Sequence, residues 1–194
     1  MSPKSKEQFE EIRTQTVLVI KETALELFAE NGFHNTSIRQ IAKAAKISKG
    51  LMYNYFESKD ELLKAIITDA MEMGNVFMRR YLDEAASPEE QMRGLIDGVF
   101  EWIVDNLKYW KLLAALAFQP AVTKSMEGEV IEKAKEHTGM VTDLFRKMGK
   151  KEPEKEALLY GALMDGIGMQ YMVMPEVYPL EEMKQLVIQK IFEK

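Results

Sequence analysis

Apolar residues recur every three to four positions through most of the chain, and no segment alternates apolar and polar residues. The first spacing is typical of amphipathic helices and alternation is typical of half-buried strands, so the pattern predicts an all-α fold. The first helix is predicted from about Gln8 to Glu30, and Gly32 ends it because glycine readily adopts the left-handed conformation found past helix ends. Its buried stripe consists of Val17, Ile20, Ala24, Leu27 and Phe28.

Three further helix starts follow closely, and each carries a serine that can cap a helix. Ser37 and Gln40 fit a capping box, in which each side chain accepts a hydrogen bond from a free backbone N–H of the first turn. Ser58 and Glu61 fit the same pattern, and Ser48 can cap the short helix between them. These starts predict two short helices in front of a long fourth helix.

The second and third helices are joined by a turn at Lys46 and Ile47, which makes the pair a helix-turn-helix. The third helix is predicted from Lys49 to about Tyr55. This pattern alone is a weak signal for DNA binding, because many helical domains contain it. The apolar residues assigned to the core of this N-terminal head are Ile38, Ile41, Ala42, Ala45, Ile47, Met52 and Phe56.

The rest of the chain predicts a larger helical body, which brings the total to about nine helices. We expect the head to span residues 1–60 and the body residues 61–194, with the fourth helix continuous across the boundary. The body helices are predicted from Ser58 to about Glu84, from Ser87 and Pro88 onward, from Leu107 to Phe118, from Val122 to Met148, from Lys155 to Val173, and from Leu180 to Phe192.

The charge of the chain is unevenly distributed. Apolar residues make up 46% of the 194 residues, so a substantial core can form, and the net charge of −5 argues against a general nucleic-acid coat. Between Gly32 and Lys59, however, five Lys or Arg residues accompany one acid, whereas 16 basic and 22 acidic residues follow from Ile66 to the end. A local basic patch can bind DNA at one face. On charge alone, an ordinary solvated surface is the better interpretation.

The segments GFHNTSIRQIAKAA and ISKGLMYNYFESKDELL resemble the DNA-binding signature of the TetR family of bacterial transcriptional regulators. The resemblance covers residues 16–66, and the rest of the chain matches the family only in length and all-helical character. It implies a ligand-responsive DNA-binding regulator, with repression as the family default. The specific elements are Ser48-Lys49-Gly50, Tyr53-x-Tyr55-Phe56 and Ser58-Lys59.

The resemblance also implies roles for individual residues on a double-stranded DNA operator. Tyr53 is expected on the phosphate backbone and Tyr55 nearer the groove, while Thr36 and Lys59 should hold phosphates at the two ends of the head. Gly50 would let the helix backbone approach the DNA closely. Base reading is assigned to Lys49, Leu51, Asn54 and Tyr55. The full set of expected DNA-binding residues is Thr36, Ser48, Lys49, Gly50, Leu51, Tyr53, Asn54, Tyr55 and Lys59.

Some of these positions allow a second interpretation. Lys46 stands where the family usually has glycine, and if its backbone is left-handed, lysine costs about 1 kcal/mol relative to glycine. Leu51 stands where the family often has a small polar residue, and it could meet a thymine methyl group or pack against the core. Tyr53 and Tyr55 could be packing aromatics, and Asn54 could simply face water.

Binding by this mechanism requires a homodimer, because two heads roughly 34–36 Å apart match a palindromic site. The last two helices carry apolar and small residues at helical spacing, and pairing them with their copies would form a four-helix bundle. Both stripes could instead be internal core. The residues are Leu158, Gly161, Ala162, Asp165, Gly168, Met169 and Met172 on one helix, and Leu180, Met183, Val187 and Ile191 on the other.

The middle of the body is rich in aromatic residues, and the chain contains 14 methionines. Methionine adapts to irregular shapes, which suits a pocket for an apolar or aromatic small-molecule effector. The family resemblance places such a pocket among helices four to eight, although for any single residue ordinary core is the better interpretation. The pocket candidates are Trp102, Tyr109, Trp110, Phe118, Met140 and Met164.

Two rival functions follow from the same residues. An enzyme is not expected, because the chain has no cysteine or phosphate-binding glycine loop, and its two histidines, His34 and His137, lie far apart in sequence. We therefore expect no catalytic residue, no metal and no cofactor. The second rival is a helical ligand-binding or scaffolding dimer whose head no longer binds DNA, and the intact Lys49, Gly50, Tyr53 and Lys59 argue against it.

A membrane partner is not expected either. The longest apolar run, Leu112–Phe118, is too short to span a bilayer, and the polar N-terminus lacks the apolar core of a signal peptide. The sequence therefore favours a soluble cytoplasmic protein.

Overall fold

The structure, a computed structural model, describes residues 6–84 and 87–193. These residues form nine α-helices and no β-strand, which confirms the predicted all-α fold. The helices are α1 (Lys6–Asn31), α2 (Ile38–Ala44), α3 (Lys49–Tyr53), α4 (Lys59–Glu84), α5 (Pro88–Asp105), α6 (Leu107–Ala117), α7 (Pro120–Lys147), α8 (Pro153–Val173) and α9 (Leu180–Phe192).

Helices α7 and α8 begin earlier than predicted, because proline begins a helix more readily than it continues one. Helix α7 is predicted from Val122, but its first residue is Pro120. Pro153 likewise begins α8, two residues before the predicted start. At the end of α1, Gly32 has the expected left-handed conformation, with φ +83°.

The predicted serine caps are present in the structure. Ser37 Oγ accepts a hydrogen bond from the Gln40 N–H at 3.3 Å, and Gln40 Oε1 accepts one from the Ser37 N–H at 2.8 Å. Ser87 and Glu90 form the same reciprocal pair at the start of α5. Ser58 Oγ accepts from the Glu61 N–H, but the Glu61 carboxylate accepts from the Glu57 N–H instead of completing the box.

The described residues divide into two compact units. Unit 1 contains α1 to α3, the part of α4 up to Ala70, and Leu112–Glu127; unit 2 contains Met71–Lys111 and the residues from Gly128 onward. Three helices, α4, α6 and α7, therefore contribute residues to both units. The largest fully buried side chains of unit 1 are Ile20, Phe28, Ile41, Met52, Leu62, Leu63 and Leu116.

The core of unit 2 is built by α5, α7, α8 and α9. Side chains of α9 belong to this core because α9 packs against both α5 and α8. Its buried members are Met92, Leu95, Ile96, Phe100, Val141, Leu144, Phe145, Ala157, Tyr160, Met164, Ile167, Val187 and Ile191.

The turn of the helix-turn-helix carries backbone strain at Lys46. Its φ is +57°, a left-handed conformation in which a side chain other than glycine is unfavourable. Lys46→Gly is therefore expected to stabilise the protein by about 1 kcal/mol, as measured by urea unfolding. Lys43→Gly, at an exposed position inside α2, should destabilise by a similar amount and serves as the control. A lower melting temperature for Lys46→Gly would show that the strain is absent.

Candidate DNA-binding surface

The short helix α3 presents a polar surface on one side and a core residue on the other. Ser48 caps it by accepting a hydrogen bond from the Leu51 N–H at 3.0 Å. Met52 is completely buried, which orients the helix, while Lys49, Gly50 and Asn54 are exposed. The exposed side therefore carries an ammonium group, an amide and a stretch of unobstructed backbone.

The two tyrosines of the signature lie beside cationic side chains. The Tyr53 side chain is 45% exposed, and Lys49 Nζ lies 5.7 Å from the centre of its ring. Tyr55 is half-buried, and the Arg13 guanidinium lies 5.6 Å from its ring. Arg13 was not among the predicted site residues, because it lies on α1 and only the tertiary structure places it beside the helix-turn-helix. It adds positive charge near α3 that the sequence motif does not include.

Leu51 lies on the outer surface of α3. It is 37% exposed, so part of its side chain is accessible in the free protein while the rest is covered. An exposed leucine beside Lys49 and Asn54 is available to a thymine methyl group. Contacts of these three side chains with bases remain predictions.

Thr36 has a structural position that the sequence did not indicate. Its side chain is 2% exposed, and its hydroxyl donates to the Leu27 carbonyl at 3.1 Å and the Gly32 carbonyl at 3.0 Å. This geometry ties the connection between α1 and α2 to the end of α1. The structure does not present the Thr36 hydroxyl to a phosphate.

Lys59 is also engaged within the head. Its ammonium donates to the carbonyls of Phe33 at 2.6 Å and Thr36 at 2.8 Å, with a longer contact to that of His34, and it lies 4.3 Å from the centre of the Phe33 ring. Because an ammonium has three donors, these carbonyls can use all of them. The geometry shows Lys59 holding the connection between α1 and α2, and its predicted phosphate contact remains untested.

The aromatic residues predicted for a pocket form a cluster in unit 2. The Trp102 and Trp110 rings are 4.7 Å apart and nearly perpendicular, and Tyr109 lies 5.7 Å from Trp110. Phe77 of α4, which the prediction omitted, stacks on Trp102 at 4.7 Å. Because Phe77 lies on α4, outside the aromatic-rich part of the sequence, no sequence pattern indicated that it would contact Trp102.

The other three pocket candidates are placed differently. Phe118 belongs to unit 1, whereas both tryptophans belong to unit 2, and the Phe118 ring is 74% exposed. Met164 is part of the buried core of unit 2, and Met140 is half-buried. The aromatic spacing in the sequence could not show that α6 ends in a different unit from the one in which it begins.

Unit 2 also buries polar groups. Asn75 is buried on α4, and its Oδ1 lies 2.5 Å from Nε2 of His137 on α7. Partial burial lowers the pKa of His137, so the neutral ring donates this hydrogen bond near pH 7. Two further buried donors, Trp110 Nε1 and the Tyr160 hydroxyl, have no hydrogen-bond partner among the described residues. Burial also raises the pKa of Tyr160, which keeps its proton in place.

The two stripes predicted for the dimer interface differ in how far the structure buries them. On α8, Leu158, Ala162, Asp165 and Met169 are exposed along one side of the helix, and partial burial raises the pKa of the Asp165 carboxyl. On α9, side chains of the predicted stripe are buried in the core of their own chain, and their contact with a second copy stays a prediction. The residues buried in this way are Val187 and Ile191, with Met183 packed against them and Gly168 of α8 also buried.

Similarity to known proteins agrees with the fold and with this surface. The sequence profile of bacterial regulatory proteins of the tetR family matches residues 20–66. The HTH-type transcriptional regulator YuxN of Bacillus subtilis is 35% identical over 45% of this chain. The matched part covers 30% of the length of that protein. The HTH-type transcriptional regulator BetI 1 of Chromohalobacter salexigens is 24% identical over 85% of this chain and 83% of its own length.

A solved structure extends the likeness of the fold to the body. The transcriptional regulator FadR of Bacillus subtilis, in complex with stearoyl-CoA, superposes with a TM-score of 0.72 at 19% identity, covering 90% of this chain and 96% of that one. An exposed, capped α3 in a helix-turn-helix is the arrangement found in helix-turn-helix transcriptional regulators. Residues 20–66 of the chain match the DNA-binding region of the TetR family of these regulators.

Residues 6–84 and 87–193 contain neither a candidate membrane span nor a candidate metal-binding group. None of their helices is both long and apolar enough to cross a membrane. The same residues bring no three metal-ligating side chains together in a metal-binding group.

Proposed function

We propose that the protein is a homodimeric repressor that binds a palindromic operator through α3 and releases it when a small molecule binds the body. The observation that supports this most directly is the exposure of Lys49, Gly50 and Tyr53 on a short capped helix whose opposite side is fixed by Met52. A helix of this kind fits the major groove of DNA. Residues 1–60 would form the DNA-binding domain and residues 61–194 the effector and dimerisation domain, and a DNA partner implies a cytoplasmic location.

The second copy is proposed to pair along α8. Leu158, Ala162, Met169 and Val173 are exposed at successive spacings of four, seven and four residues, so they line one side of this helix. Leu186 of α9 is an exposed apolar residue as well. A row of apolar side chains this long is uncommon on a monomer and supports an interface between copies.

The effector is proposed to be an apolar or aromatic molecule that carries a hydrogen-bond acceptor. Phe77, Trp102 and Trp110 supply aromatic surface in unit 2. The donors of Trp110 and Tyr160 have no partner among the described residues, and a buried donor without a partner costs about 1–3 kcal/mol. A carbonyl or carboxylate oxygen on the effector would satisfy such a donor.

Effector and operator would weaken each other's binding through the arrangement of the two heads. Coupling of this kind typically amounts to about 1–3 kcal/mol, and it acts equally in both directions. Because α4 contains residues of both units, a change in the body can be transmitted along it to the head.

The direct test is selection of DNA from a random-sequence pool by the purified protein, followed by titration of the selected duplex. A palindromic site is expected. Tyr53→Phe removes one hydroxyl and should lower affinity about fivefold, the effect of one hydrogen bond. Because a phosphate contact carries no sequence information, the loss should be the same for strong and weak sites.

The matched control is Tyr178→Phe, which removes a hydroxyl from the body and should leave DNA affinity unchanged. A larger loss at the selected site than at random duplexes would assign base reading to Tyr53 instead. If the wild-type protein selects no sequence, the alternative of a ligand-binding or scaffolding dimer with an inactive head is favoured.

The effector can be sought by fluorescence, because both tryptophans of the chain lie in the aromatic cluster. A panel of aromatic acids and fatty acyl-CoA esters is suitable, and stearoyl-CoA belongs in it because FadR of Bacillus subtilis was solved with this molecule. The expected result is a compound that changes tryptophan emission and also lowers operator affinity by roughly 5- to 150-fold. A compound that binds at the cluster while operator affinity stays unchanged would contradict the proposed regulation.

A further inference from the structure

One side chain from the connection between α6 and α7 holds the backbone of the head. Gln119 Oε1 accepts a hydrogen bond from the Phe33 N–H at 2.8 Å, and Gln119 Nε2 donates to the Phe28 carbonyl at 2.9 Å. All three residues belong to unit 1. Gln119 is 86 residues beyond Phe33 in the sequence, so only the tertiary structure makes this contact.

The Phe33 peptide groups are held from two directions. Gln119 accepts a hydrogen bond from the Phe33 N–H, and Lys59 at the start of α4 donates one to the Phe33 carbonyl at 2.6 Å. The Phe33 ring is buried and packs edge-on against Phe28, with the ring centres 5.1 Å apart. Phe33 therefore joins the end of α1, the start of α4 and the connection between α6 and α7.

Phe33 lies four residues before Ser37, which caps α2. Its backbone position is linked to the start of α2 by the hydrogen bond from the Thr36 N–H to the Phe33 carbonyl. Helix α2 in turn packs against α3. A shift of the Phe33 backbone would therefore change the position of the helix-turn-helix.

The residues around Gln119 are connected by the chain to unit 2. Residues 112–127 lie in unit 1, whereas α6 begins in unit 2 and α7 continues into it. We propose that Gln119 is a positioning residue that couples the connection between α6 and α7 to α2 and α3, by a route separate from α4. This inference rests on the proposed function, because it assigns a route for the coupling between effector and operator.

The chemistry of the side chain is specific. A primary amide both donates and accepts, so it can bind a backbone N–H and a carbonyl simultaneously. Glutamate at the same position would retain the acceptor and lose the donor, and alanine would lose both. The variants Gln119→Glu and Gln119→Ala therefore separate the two bonds.

Gln91 provides a matched control. Its Nε2 donates to the Leu82 carbonyl at 2.6 Å, which is also a bond from a glutamine amide to a backbone carbonyl, but it lies within unit 2. Gln91→Ala should alter stability as Gln119→Ala does without changing any contact of Phe33.

The first measurement is amide hydrogen exchange of Phe33 in the free protein. Exchange should become roughly tenfold faster in Gln119→Ala, because the acceptor of this N–H is lost. Protection should persist in Gln119→Glu and in Gln91→Ala. Unchanged exchange in Gln119→Ala would overturn the inference at its first step.

The second measurement is exchange of the amides of residues 112–118 with and without the selected operator duplex. Coupling is reciprocal, so DNA bound to the head should slow exchange there in the wild type and in Gln91→Ala. The response should be lost in Gln119→Ala. An equal response in that variant, or none in the wild type despite DNA binding, would overturn the inference alone. A wild-type protein that selects no DNA would overturn the proposed function itself, and with it this route of coupling.

Discussion

Leu158→Glu is expected to convert the protein to a monomer and to lower its operator affinity by roughly 100-fold or more. Leu158 is 64% exposed in the isolated chain, so the substitution should leave the fold of the monomer intact. In the proposed dimer the carboxylate would be buried at an apolar interface, which is strongly unfavourable without a cationic partner. Each head would then bind its half-site independently, and the avidity of two linked heads would be lost.

The measurements are sedimentation for the oligomeric state and titration of the selected duplex for affinity. Val104→Glu is the control, because Val104 is an exposed apolar residue on α5 rather than α8. Met169→Glu, on the same side of α8 as Leu158, should repeat the effect. A dimer that survives both α8 substitutions would exclude this side of α8 as the interface.

Gly98→Ala is expected to destabilise the protein by roughly 1–3 kcal/mol through overpacking. A methyl group at this position of α5 would overlap Tyr81 Cζ and lie 2.5 Å from the Tyr81 hydroxyl oxygen, closer than packed atoms approach. Gly94, one turn earlier, also faces this ring, with its added methyl group 3.1 Å from Tyr81 Cδ1. The two glycines therefore allow the Tyr81 ring of α4 to lie directly against the α5 backbone.

Urea unfolding of a double-mutant cycle measures this effect. In a Tyr81→Leu background the ring is absent, so Gly98→Ala should cost much less. Gly139→Ala is the matched control, because no atom lies within 4 Å of its added methyl group and alanine is the better helix former. It should stabilise by about 0.5–1 kcal/mol. An equal cost of Gly98→Ala with and without the tyrosine ring would contradict close packing as the cause.

The local features of the chain were predictable from its sequence. The capping serines Ser37, Ser48 and Ser87 are in place, because a cap involves only residues within one helical turn. The limits of α9 agree with the prediction, since a clear apolar period starts directly after Pro179 and its last apolar residue is Phe192. The left-handed turn at Lys46 could be anticipated because its position in the helix-turn-helix normally holds glycine.

The partners of individual side chains were less predictable. Thr36 and Lys59 carry the hydroxyl and ammonium that suit a phosphate, yet the structure uses both to hold the connection between α1 and α2. Residue type specifies what a group can donate, but backbone carbonyls and phosphates accept the same donors. Which acceptor is within reach depends on the folding of distant segments.

The sequence by itself determined the helical fold, the limits and caps of most helices, and a helix-turn-helix with the TetR signature, because these depend on residues close together along the chain. Only the tertiary structure decided that the α9 stripe is internal core while one side of α8 remains exposed, and that Gln119 reaches Phe33. A helical period shows that one side of a helix will be buried. Because an apolar surface attracts any other apolar surface of suitable shape, the period cannot specify whether the covering residues belong to the same chain or to a second copy.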